Sequence, residues 1–155
     1  MTPISPSLHD VIEVCVPQLH RHCRDPWMII GSVAAALAGA DVAVADLDVL
    51  TSIDDAERLK ILWKSRLNTS YEPAGAKLFR SHFARFDFSP MPVEVMGGLE
   101  LYGAGAWRPV QIHEIVHVTC AGVQVPIPAP SEQIRMLERF ARPKDLLRTE
   151  LLRAL

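Results

Sequence analysis

Three short segments carry residue types and spacings that could do chemistry together: Ile30-Gly31-Ser32, Asp46-Leu47-Asp48-Val49 and Val93-Glu94-Val95. Gly and Ser at a strand-to-helix turn let the backbone approach a ligand closely and aim free N–H groups at phosphate. Asp46 and Asp48 are two apart, so on a strand both carboxylates face one side. Glu94, flanked by valines, could bring a third carboxylate from a neighbouring strand. Mg²⁺ prefers oxygen ligands and usually takes one or two carboxylates with phosphate oxygens and waters. In a two-metal site one ion activates an attacking hydroxyl while the other stabilises the leaving pyrophosphate. Each segment alone has an ordinary explanation: a solvated strand pair, a turn with its cap, an outward-facing strand residue. Together, in this order, they point to nucleotidyl transfer from a nucleoside triphosphate (NTP).

The elements that must position these residues follow from apolar spacing. Residues 7–23 place Leu8, Val11, Ile12, Cys15, Val16 and Leu19 at helical intervals, with Pro17 expected to kink or interrupt the helix. Trp27 to Ile30 reads as a buried strand ending at Gly31. Ser32 is expected to cap the helix that follows, with Gly39 ending it. Val42 to Leu50 reads as a strand carrying both aspartates. Asp54 to Leu67 reads as an amphipathic helix offering Ile53, Leu59, Leu62 and Trp63 to the core. After a loop over 68–75, strands are expected within 77–88, at 92–96 with Glu94, and around 99–102, 109–112, 115–119 and 123–127. Pro126, Pro128 and Pro130 then separate the sheet from two helices, near 131–140 and 143–154, with Pro143 in the first turn of the last. This order suggests an α/β domain with a mixed sheet.

The chain has 155 residues, 49% hydrophobic and 22% charged, which suits one globular domain spanning 1–155. A formal net charge of −2 gives no overall argument for a nucleic-acid partner. Local charge is uneven. Asp41, Asp46, Asp48, Asp54, Asp55 and Glu57 crowd one stretch without a base, while Arg135, Arg139, Arg142, Lys144, Arg148 and Arg153 enrich the C-terminal segment. An acidic metal site faced by a basic helical tail fits this pattern, as do two solvated helix faces. Arg80 and Arg85, near the Glu94 strand, could reach phosphate, but salt bridges to the acidic stretch are the simpler expectation. Cys15, Cys23 and Cys120 lack metal-ligand spacing and read as reduced thiols. No signal-peptide pattern opens the chain, and the apolar run 27–40 is too short to span a bilayer. A cytoplasmic protein is expected.

The pattern of apolar-Gly-Ser, Asp-apolar-Asp-apolar and a later apolar-acid-apolar strand resembles the DNA polymerase beta-type nucleotidyltransferase superfamily. Here 13 residues separate Ser32 from Asp46. Ser131-Glu132-Gln133-Ile134 followed by Arg142-Pro143-Lys144-Asp145-Leu146 is similar to compact bacterial members, related to abortive-infection toxin and antibiotic nucleotidyltransferases. The resemblance covers roughly 27–152. It implies a nucleotidyltransferase fold of α/β (α+β) class, a mixed sheet packed by helices with two at the C-terminus. It further implies that Gly31 and Ser32 bind the triphosphate and that Asp46, Asp48 and Glu94 hold Mg²⁺ or Mn²⁺. Glu94 would act as general base and Lys144 would contact the nucleotide. The substrate would be an NTP and the acceptor a hydroxyl of a small molecule, a tRNA or a protein. Two positions depart from the pattern: Ala43-Val44-Ala45 stand where a basic or hydroxyl residue is common, and the third acid is Glu rather than Asp. The alternative expectation is a catalytically weak binding module on this fold, such as one half of a toxin–antitoxin or defence pair. Its partner surfaces would be the Trp107–Pro109 loop and the last helix.

His113-Glu114-Ile115-Val116-His117 literally matches the zinc-protease pattern H-E-x-x-H. That chemistry needs both histidines on one helical face, whereas the β-branched, alternating neighbourhood favours a strand. On a strand the two would lie about 13 Å apart, too far to share a zinc ion.

Overall fold

The computed structural model describes residues 4–73 and 77–155, so part of the expected 68–75 loop, including Gly75, lies outside the described residues. The chain opens with helix α1 (Pro6–His22), capped by Ser5, whose side chain accepts from the Leu8 N–H. Pro17 lies inside α1, yet the helix neither stops nor divides there. Six apolar residues on one face of α1 are buried, and that packing offsets the hydrogen bond a proline removes.

A short strand, β1 (Met28–Ile30), leads into α2 (Gly31–Leu37). Then come β2 (Leu47–Thr51) and α3 (Ile53–Leu62), followed by a 3-10 turn, Lys64–Arg66, and β3 (Leu67–Asn68). The core residues of α3 are Ala56 and Leu59, with Trp63 at its C-cap, while Ile53 and Leu62 remain exposed, contrary to expectation. Two long strands, β4 (Phe79–Phe86) and β5 (Val93–Gly103), form the middle of the sheet. The two strands expected at 92–96 and 99–102 are one. Gly97 lets it continue under α3, since a Cβ there would fall 2.7 Å from the Ala56 Cβ.

The hairpin strand β6 is Ala106–Pro109, not 109–112, and includes the expected Trp107–Pro109 loop. The chain ends with β7 (Ile115–Cys120), β8 (Val123–Pro128), α4 (Pro130–Phe140) and α5 (Pro143–Arg153). The six-stranded sheet runs β1-β2-β5-β4-β3, with β6 also paired to β5; β7 and β8 form a separate hairpin. Only β2 and β5 are parallel, so the sheet is mixed as expected. No helix among the described residues is long and apolar enough to cross a membrane.

Alternation divides the two faces. Leu47, Val49, Val93, Val95, Ala84 and Phe86 pack with α1, α3 and the β7–β8 hairpin in the main core. The opposite face carries Met28, Ile30 and Leu50, packed with Met136 and Phe140 of α4. Cys15, Cys23 and Cys120 are unpaired thiols. Asp55, part of the acidic stretch, is fully buried and accepts from the Arg24 and Asp25 N–H groups and from Thr51 and Arg58. These donors hold its carboxyl below the usual range despite burial, and they identify it as a structural acid.

Candidate active site

Strand register places the chemistry-bearing residues in one row across the second face. Ile30 pairs with Asp48, Asp48 with Glu94, Glu94 with Arg85, and Arg85 with Asn68. Cross-strand partners point to the same side of a sheet, so the row gathers side chains distant in sequence. The apolar residues flanking Asp48 and Glu94 enter the main core and so force both carboxylates outward onto this face.

Asp46 reaches the same place by another route. Strand β2 begins only at Leu47, not at Val42, because β1 ends at Ile30 and offers no partner for residues further upstream. The entry is held instead by a 3.0 Å bond from the Leu47 N–H to the Pro92 carbonyl. One oxygen from each of Asp46, Asp48 and Glu94 lies within 4.8 Å of the others.

Gly31 closes the row at its β1 end. Its φ of +72° is left-handed, and a Cβ would stand 2.6 Å from Asp48 Oδ2. Contrary to expectation, Ser32 does not cap α2. The helix starts at Gly31 itself, after Ile30, and no side chain caps it. The buried Ser32 therefore lies within the first turn, its hydroxyl unused by the cap, on the wall of a cavity. Gly31→Ala is expected to lower the free energy of unfolding by about 1–3 kcal/mol and to displace Asp48. Chemical denaturation measures the first effect, and a crystal structure of the variant reports the second.

The cavity has a volume of about 590 Å³ and is lined by Gly31, Ser32, Asp46, Asp48 and Glu94. Its opposite wall is basic: Arg142, Lys144 and Arg148 of the α4–α5 corner face it. Asp145 does not pair with Lys144. It is buried at the start of α5, accepts from the Arg142 N–H, and forms an ion pair with the Arg142 side chain. The pair fixes the corner and leaves exposed Lys144 at the cavity rim. Gln133 ties α4 to α2, donating to the Ala34 carbonyl at 3.3 Å and the Pro128 carbonyl at 2.9 Å.

The electrostatics suit a bound cation. Burial, followed by the charges of Glu94 and Asp46, raises the Asp48 carboxyl well above its usual range, with Arg148 acting in the opposite sense. Burial, then the hydrogen bond and charge of Asp46, push Glu94 up to about 7, against the lowering effect of Arg85. Oδ1 of Asp48 is sealed from solvent and has no hydrogen-bond partner. Crowded carboxylates, an orphaned buried oxygen and an all-oxygen donor set fit a hard divalent cation.

Several residues of the site carried no clear signal in the sequence. Tyr71, Phe79, Phe83 and Phe140 supply aromatic parts of the cavity wall. Arg148 could have been found, since it lies one helical turn beyond Lys144. Of the two arginines weighed earlier, Arg85 pairs with Glu94 and Asp46, while Arg80 pairs with Glu100, outside the acidic stretch. Of the two histidines in the H-E-x-x-H segment only His117 lies on a strand; both are exposed, and neither joins a metal-ligating cluster among the described residues.

No protein-family model matches the chain, and no curated protein matches its sequence. Similarity to solved structures extends over nearly the whole chain. A candidate nucleotidyltransferase from Thermotoga maritima superposes with a TM-score of 0.78 at 19% identity, covering 94% of this chain and 91% of its own. The antibiotic-resistance factor ANT(2'')-Ia gives 0.60 at 11% identity, covering 94% and 82%. The lincosamide antibiotic adenylyltransferase LnuA, solved with lincomycin, gives 0.59 at 9% identity, covering 91% and 94%.

Proposed function

We propose that this chain, which has the nucleotidyltransferase fold, is a single-domain, metal-dependent nucleotidyltransferase moving a nucleoside monophosphate from an NTP to an acceptor hydroxyl. One observation carries the proposal: Asp46, Asp48 and Glu94 converge on a cavity whose other walls hold Gly31, Ser32 and the basic start of α5. Gly31 and Ser32 would receive the phosphates, and Lys144 and Arg148 would face their negative charge. Asp46, Asp48 and Glu94 would hold Mg²⁺ or Mn²⁺, which when bound supplies Lewis-acid stabilisation of the transferring phosphoryl group. Glu94, whose carboxyl sits near neutrality, suits a general base for the acceptor hydroxyl. The acceptor belongs to a small molecule, a tRNA or a protein. A lincosamide-binding relative of the same fold supports the first class.

Thermal denaturation with each of the four NTPs, with and without Mg²⁺ or Mn²⁺, tests the assignment. The expected result is a rise in Tm that needs both components, about 3 kcal/mol of stabilisation at a hundredfold excess over Kd. Asp46→Asn should remove that rise. A Tm unaffected by every combination would reject the proposal.

A second reading is favoured by exposed Leu146 and Leu147 on α5, 50% and 64% accessible. A protein partner could cover them, as in a paired toxin–antitoxin or defence system. Such a partner is compatible with transfer chemistry, because these leucines do not line the cavity.

A further inference from the structure

We infer that Arg85 is a positioning residue that holds part of a cation's electrostatic place, so that divalent metal enters with the nucleotide rather than alone. The inference rests on the transferase function proposed above. Arg85 lies on β4 in register with Glu94. Its Nη1 donates to Glu94 Oε2 at 3.2 Å and stands 3.8 Å from Asp46 Oδ2. The guanidinium also lies over the Tyr71 ring, 4.2 Å from its centroid, and Tyr71 in turn leans on Phe83 at 5.8 Å. The side chain is thus held by two carboxylates and a ring, with 21% of its surface exposed.

Charge counting shows what this does. An arginine does not lose its proton in a protein. Three ionised carboxylates would offer three negative charges, and Arg85 reduces that to two, which weakens the pull on a free divalent ion. A divalent ion on a triphosphate is a net anion, so the same arginine lessens the repulsion that the carboxylates exert on that complex. Arg85 also bridges Asp46 and Glu94, fixing the direction of two of the three oxygen donors before any ion arrives. Asp48 is left outside this ion pair, and its Oδ1 has no hydrogen-bond partner. A site arranged this way discriminates against free metal and accepts the metal–nucleotide complex.

The test is Mn²⁺ binding by calorimetry to the wild type and to Arg85→Gln, Arg85→Met and Arg85→Lys. Each protein is measured alone and with α,β-methylene analogues of the four NTPs. Without nucleotide, the Gln and Met variants should bind Mn²⁺ on the order of tenfold more tightly than the wild type. The Lys variant, which keeps the charge, should stay near the wild type. A merely structural arginine would weaken or not change metal affinity when removed, so the direction of the effect is decisive. Two variants of different polarity protect against one failing to fold. If the wild type binds Mn²⁺ with an analogue but Gln and Met bind the free ion no more tightly, the inference fails alone. If no protein binds Mn²⁺ under any condition, the transferase assignment fails and the inference goes with it.

Discussion

Asp48→Asn is expected to stabilise the ligand-free protein while reducing the proposed nucleotidyl transfer by more than about a hundredfold. Outer partners of metal ligands alone are worth about 10–100-fold, so loss of a proposed direct ligand should exceed that range. The stability change runs the other way. Asp48 is crowded by Glu94 and Asp46, and one of its oxygens is buried without a partner. An asparagine of nearly the same shape removes the charge that burial and repulsion oppose. At pH 8 the gain should be of order 1–2 kcal/mol, from the repelled charge alone, since an asparagine still leaves a polar atom buried there. Urea denaturation without metal reads the gain, and pyrophosphate release reads the loss. A variant less stable than the wild type under these conditions would mean that Asp48 serves the fold rather than the site.

The second large effect is on pH dependence. Glu94 has its carboxyl raised from 4.5 to about 7 in the folded state. Between these values the native protein binds more protons than the unfolded chain, so stability falls as pH rises. The contribution is complete below pH 4.5 and is lost on passing about 7. Allowing for solvent screening, it amounts to about 1–2 kcal/mol. Asp48 is shifted in the same direction and adds to the slope. Under the proposed function a divalent ion with nucleotide would bind the ionised carboxylates, so saturation should flatten or reverse this part of the profile. Glu94→Gln should remove the Glu94 share in the free protein. Denaturation midpoints from pH 4.5 to 8, with and without Mg²⁺–nucleotide, measure both.

The parts of the site that alternation determines were legible in the sequence. Leu47-Asp48-Val49 and Val93-Glu94-Val95 have only one way to bury their apolar members, and it aims both acids outward together. The mixed sheet and the two C-terminal helices followed from the same local patterns, whereas the strand expected through His113 to His117 starts only at Ile115. Where pairing partners decide the outcome, local pattern was insufficient. The segment 42–46 is apolar enough for a strand but has no neighbour to bond with, so Asp46 reaches the site from irregular backbone. Gly97-Gly98 looked like a break between strands and instead marks where α3 crowds a continuous one. Ser32 looked like a cap because the positive φ of Gly31, which starts the helix one residue earlier, depends on the close approach of Asp48. The aromatic wall of the cavity depends on how α4 lies across the sheet, and Phe79 meets Phe140 edge-on at 4.6 Å only there.

Parallel pairing of β2 with β5 also bears on how the protein acquires its activity. Antiparallel neighbours can zip from a hairpin, but these two strands meet only after α3, β3 and β4 have been laid down between them. A half-formed sheet therefore leaves Asp48 and Glu94 apart. Any ligand that grips both carboxylates acts as a staple across this parallel pairing. Amide exchange along Leu47–Thr51 and Val93–Gly97 should slow together on loading, by a common factor that hairpin amides in β7 and β8 do not share.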